Sequence, residues 1–128
     1  MTKLFLLFAS FGLTPIALGY GASPSVSLQW LFGIDASSTD LSHIFRAVMG
    51  LYLALVIFWI IGAFYKSLTL PALLSLMVFM FGLAGGRVIS LMLDGFPHPL
   101  LFIYLVLEVI MGVLALLLIK QQAQSPSQ

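Results

Sequence analysis

The chain is 128 residues long, 62% hydrophobic and only 7% charged, with a net charge of +1 and no cysteine. Ordinary soluble domains carry about 25% charged residues, so this composition excludes a soluble globule, and the same hydrophobicity excludes disorder. The few Lys and Arg are spread along the chain and leave no nucleic-acid footprint, while the lack of cysteine removes disulfides, thiol nucleophiles and thiolate metal sites.

A bilayer core about 30 Å thick takes roughly 20 apolar residues per helix. Four segments meet that need: residues 4–19, 41–65, 70–93 and 99–119. The first is short and contains Pro15. It also has a rival reading, because Lys3, the apolar run and Ala17-Leu18-Gly19 look like a secretory signal peptide. The connection 20–39 is too apolar for a free loop, with Val26, Leu28, Trp30, Leu31, Phe32 and Ile34. It reads as a short interfacial helix or as a cap folded over the mouth of the bundle. Thr39 or Asp40 can cap the second span, Thr69 with Pro71 opens the third, Gly95 and Pro97 stop it, and Pro99 opens the fourth. The expected fold is all-α: a four-helix transmembrane bundle over 1–120, with a short interfacial segment in its first outer loop. Residues 121–128 are expected as a disordered cytoplasmic tail.

With four spans, Lys3, Lys66 and Lys120 fall on one side, and the positive-inside rule makes that side the cytoplasm, with both termini in it. The opposite connections carry Asp35, Asp40 and Asp94 instead, although Arg46 and Arg87 near the outer helix ends weaken the bias. Trp59 and Tyr65 suit the inner interface, and Tyr20 and Trp30 the outer one.

Three charges lie inside the spans: Arg46, Arg87 and Glu108. Each costs about 2.5–3.5 kcal/mol at a helix centre on insertion scales. At 1.5 Å per residue they sit about 8, 9 and 14 Å below the outer ends of their helices, so all occupy the outer half. An arginine reaches far enough for Arg87 to pair with Glu108. Ser90 and Asp94 follow Arg87 at i+3 and i+7, Tyr104 precedes Glu108 at i−4, His43 precedes Arg46 at i−3, and Thr14 of the first span lies at similar depth. The expectation is one outward-facing polar pocket formed by Arg46, Arg87, Ser90, Tyr104, Glu108, Asp94 and His43. Two guanidiniums against one deep carboxylate would suit an anionic ligand. Arg46 has a plainer reading, snorkelling to the headgroups, and Arg87–Glu108 could be a purely structural pair.

Gly82 and Gly86 make a GxxxG spacing, which close helix packing explains. His43 and His98 lack a third ligand, so no metal is expected, and no cofactor either. No Ser has a His–Asp arrangement around it, and Gly85-Gly86-Arg87 is not a phosphate loop.

The stretch His43-Ile44-Phe45-Arg46-Ala47-Val48-Met49-Gly50-Leu51-Tyr52, the run Gly86-Arg87-Val88-Ile89-Ser90 with Asp94-Gly95-Phe96-Pro97, and Leu107-Glu108 together resemble small bacterial four-helix membrane proteins of domain-of-unknown-function family 4345. The resemblance covers roughly residues 4–119. It implies the fold, a bacterial inner (cytoplasmic) membrane, and a common site for Arg46, Arg87, Ser90, Asp94 and Glu108. It transfers no mechanism.

The leading functional expectation is a non-enzymatic module that binds a membrane lipid or a small anionic amphiphile. Alternatives are a structural or accessory subunit, which a homo-oligomer would also suit, and a proton- or solute-coupled transporter subunit with Glu108 as relay. Small multidrug exporters also have four helices and a lone membrane glutamate, but theirs lies in the first helix. An enzyme ranks last, since no catalytic constellation is readable.

Overall fold

A computed structural model describes residues 1–124, which form five helices: α1 (Thr2–Gly21), α2 (Pro24–Phe32), α3 (Thr39–Phe64), α4 (Lys66–Asp94) and α5 (Pro99–Gln124). The described residues include no strand. α1, α3, α4 and α5 are long and apolar enough to cross a membrane, and the fold is the expected helical bundle.

Helical periodicity sets the core. Leu6, Ala9, Leu13, Ala17 and Tyr20 make the buried stripe of α1, and Tyr52, Val56 and Trp59 that of α3. Leu73, Leu76, Met80 and Ala84 do the same on α4, and Leu105, Glu108, Gly112, Ala115 and Leu118 on α5. The outward faces are apolar too: Phe8, Phe11, Val78, Ile103 and Ile110 are exposed, which suits hydrocarbon surroundings rather than water.

The long helices pack in chain order, α1 on α3, α3 on α4 and α4 on α5, each antiparallel to the next. α5 rests almost entirely on α4, and the bundle stays open along the seam between α1 and α5. At the α1–α3 contact the buried Ser10 hydroxyl donates to the carbonyl of Leu6 at 2.8 Å and also faces that of Val56 at 3.4 Å. The α3–α4 hairpin turns at the extended Tyr65. Thr69 donates to the Gly62 carbonyl at 2.7 Å and Trp59 Nε1 to Ser75 Oγ at 3.0 Å, tying the two helices side by side.

Several helix ends differ from the sequence reading. α1 reaches two residues beyond each end of the expected 4–19 and, as expected, runs through Pro15, which has no N–H to donate. Ser38, not Thr39 or Asp40, caps α3, accepting from Leu41 N–H at 3.2 Å. α4 begins at Lys66, with Pro71 in its second turn and Thr69 bonding back across the hairpin rather than opening the helix. α5 continues to Gln124, four residues into the segment expected as tail; the rest of that segment lies outside the described residues.

The connection between α1 and α3 is both helix and cap. Pro24 starts α2 and Gly33, at φ +70°, ends it in the left-handed conformation glycine tolerates. Ser27 donates to the Gly19 carbonyl at 2.7 Å and Leu28 is fully buried, while Trp30 and Val26 face outward. Phe32 reaches across the bundle mouth, its ring 6.1 Å from Tyr20, 6.4 Å from Tyr104 and 5.7 Å from His98. Beyond it Asp35 accepts from the Ser37 hydroxyl at 2.7 Å and the Ser37 N–H at 3.2 Å, which holds its carboxyl below the usual range.

Candidate functional site

The buried stripe of α5 places Glu108 between Leu105 and Gly112, against α4. On α4, Arg87 follows the buried Ala84 by three residues, so it meets Glu108 across the interface. Arg87 Nε donates to Glu108 Oε1 at 2.8 Å, with the carboxylate side chain 10% exposed and the guanidinium side chain 23%. This is the single ion pair among the described residues. The guanidinium lies over the Tyr104 ring, 5.8 Å from its centroid. No buried side-chain nitrogen or oxygen among the described residues is left without a hydrogen bond.

Two cavities meet at Arg87. A groove of about 470 Å³ runs along α4 and α5 near the α2 end, lined by Gly82, Gly86, Arg87, Ser90, Asp94, Phe96 and Phe102 among others. Ser90 donates to Asp94 Oδ2 there at 2.6 Å. The second is a cleft of about 160 Å³ in the α1/α5 seam. Its α1 wall is Phe8, Gly12, Leu13 and Ile16, its floor Tyr52, Met80 and Leu83, and its α5 wall Tyr104, Leu107, Glu108 and Met111. It is apolar except at the Arg87–Glu108 pair and the adjacent tyrosines. Arg87 forms one bond to Glu108, so its remaining N–H groups and the second carboxylate oxygen can serve a ligand.

The single pocket expected from the sequence is therefore divided. Arg87, Ser90 and Asp94 share the groove, and Arg87, Tyr104 and Glu108 share the cleft. Arg46 and His43 line neither cavity and are exposed on α3. The reason is rotation. At 100° per residue Arg46 lies about 120° from the buried Tyr52, and His43 about 180° from it. Thr14 also stays out, donating to its own helix at Ser10 O, 2.7 Å away. His98 caps α5 by accepting from Leu100 N–H through Nδ1 at 3.1 Å. The GxxxG expectation fails as well: a Cβ at Gly82 or Gly86 would meet nothing within 4 Å, so no helix packs there.

The sequence reading assigned no site role to Gly12, which lines the cleft, or to Tyr20 and Phe32, which line neither cavity but form the aromatic stack that meets Tyr104. Tyr20 looked like an interfacial anchor, yet it is buried and stacked between Phe32 and Phe45. Gly12 carries no motif. Its role comes from α5 standing away from α1, which leaves open space over it.

No curated protein and no solved structure matches this chain. A family model does match, over residues 1–119, and it is that of the family Domain of unknown function (DUF4345). That match takes in all four long apolar helices but for the end of α5, the Arg87–Glu108 pair and both cavities, and the chain belongs to this family.

Proposed function

We propose that this is a non-enzymatic membrane protein that takes an amphiphile from the bilayer into the α1/α5 seam. The observation that carries the reading is the cleft itself. It opens sideways between two helices, is apolar along its length, and ends on an Arg87–Glu108 pair flanked by Tyr104. An apolar chain can enter between Gly12 and Leu107 while its polar end hydrogen-bonds the pair. A volume of about 160 Å³ suits one segment of an acyl chain, not a whole lipid. Since Arg46 stands elsewhere, the head meets a charge-balanced pair. Hydrogen bonding, not net negative charge, is then what selects it. We place the protein in a bacterial inner membrane with both termini cytoplasmic, on the support of Lys3, Lys66 and Lys120 at the end opposite α2.

Native mass spectrometry of gently solubilised protein tests this reading. The wild type should retain a lipid-sized adduct. Gly12→Leu should lose it without loss of melting temperature, because its Cβ meets no protein atom and its side chain fills the cleft. Equal retention by both proteins, or none by the wild type, would overturn the proposal. A second reading, a structural subunit, draws on the direct ion pair at 2.8 Å and on the absence of any fully buried side-chain nitrogen or oxygen without a hydrogen bond among the described residues. A wild type without adduct would favour it.

A further inference from the structure

The α4/α5 groove and the exposed face of α3 are complementary halves of a contact that one chain does not make with itself. The groove is uncovered. Its glycines face open space, and Asp94 has no basic partner among the described residues, only the Ser90 hydroxyl. The face of α3 is also uncovered, with Arg46, Ala47, Gly50 and Ala54 all exposed and Arg46 in no ion pair.

Depth brings the two surfaces into register. Measured from the α2 end at 1.5 Å per residue, Asp94, Ser90, Gly86 and Gly82 lie at about 0, 6, 12 and 18 Å along α4. Arg46, Gly50 and Ala54 lie at about 10, 16 and 22 Å along α3. Copies of one membrane protein share one orientation, so α3 of one and α4 of another meet antiparallel with these depths preserved. The small residues then face one another within about one turn. Arg46, whose side chain extends toward the interface, comes level with Ser90 and Asp94.

We propose that this groove receives α3 of a second copy of the chain, with the second copy's arginine at position 46 paired to Asp94. Charge complementarity carries the choice of occupant. The groove holds one unbalanced carboxylate, since Arg87 is neutralised by Glu108, and the α3 face presents the one guanidinium without a carboxylate partner among the described residues. The missing small-residue packing at Gly82 and Gly86 is supplied by the partner helix instead of a neighbour in the same chain. The arginine that one chain keeps away from its own polar residues thus reaches the same groove in another.

The chain has no native cysteine, which makes cross-linking clean. Gly50→Cys and Gly86→Cys are placed in separate, differently tagged full-length copies and co-reconstituted in phosphatidylcholine–phosphatidylglycerol vesicles. On oxidation the mixed sample should form tag-heterogeneous dimers several-fold in excess of dimers in either sample alone. Arg46→Glu in the first copy should cut that yield several-fold, and Asp94→Arg in the second should restore it. Arg46 touches no charged partner in its own chain, so Arg46→Glu should melt like the wild type in detergent, separating loss of contact from loss of fold. A mixed sample that cross-links no better than the single samples would overturn the proposal. So would an unchanged yield with Arg46→Glu, which would mean that Arg46 serves lipid phosphates instead.

Discussion

Glu108 stands in a turn sequence of α5 whose other buried members are Leu105, Gly112, Ala115 and Leu118, so a carboxylate there survives only by being paired. Arg87 supplies the pair at 2.8 Å, and removing one partner strands the other. Arg87→Ala should therefore lower stability by about 3–5 kcal/mol, read as a large fall in the detergent melting temperature. Arg87→Leu combined with Glu108→Leu should recover most of that loss, because two apolar side chains of similar bulk cost nothing to desolvate. A double variant no more stable than the single ones would show that the two residues do not act as a unit. This pair was legible in the sequence because two opposite charges on consecutive antiparallel helices lie at similar depth and within reach, and they meet here because both helices turn them to the shared interface. Arg46 shares that depth and was misplaced. Depth says nothing about rotation, and the bulk of Tyr52, Val56 and Trp59 decides which way α3 turns.

At the scale of the helices, packing and not motif separates the glycines. Gly82, Gly85 and Gly86 form the conspicuous small-residue cluster, yet a Cβ at any of them would meet nothing within 4 Å. Gly62 belongs to no motif and lies in close contact with α4. A Cβ there would collide with that of Ala72 and come within 3.0 Å of the Leu68 carbonyl. Both obstacles are backbone or nearly so, and neither can swing aside. Gly62→Ala should destabilise the hairpin by about 1–3 kcal/mol, the usual cost of overpacking. Gly85→Ala should cost nothing in the same melts. Equal melting temperatures for the two variants would contradict the close α3–α4 approach. The four long helices were legible because hydrophobic length alone decides them, and their ends were not. Ser38 and the Thr69 bond to Gly62 are local hydrogen-bond choices among several residues able to make them. The cap role of Phe32 required knowing that Tyr20, His98 and Tyr104 surround one opening, which only the assembled bundle shows.

For the whole molecule, helix order and charge set the orientation that we propose. The N-terminus, the α3–α4 turn and the end of α5 lie together, opposite α2. Lys3 and Phe64 confirm that neighbourhood, the ammonium standing 4.4 Å from the ring centroid. That end carries all three lysines, exposed, while the α2 end carries Asp35, Asp40 and Asp94. Lysines resist translocation, so the lysine end should stay in the cytoplasm. The two arginines weigh less, because both lie within helices and Arg87 is neutralised by Glu108. Single cysteines at exposed sites on each end test this. Ser37→Cys, beside the Asp35 turn, should react with a membrane-impermeant maleimide in intact cells, and Ala123→Cys, at the end of α5, only after permeabilisation. Labelling of both from outside would mean an even number of crossings between them, which leaves one of α3, α4 and α5 out of the membrane. Exchange of the two patterns would keep the three crossings of α3, α4 and α5 and invert the orientation. In that case the α2 cap and the groove beside it would face the cytoplasm, and any amphiphile bound in the seam would be drawn from the inner leaflet.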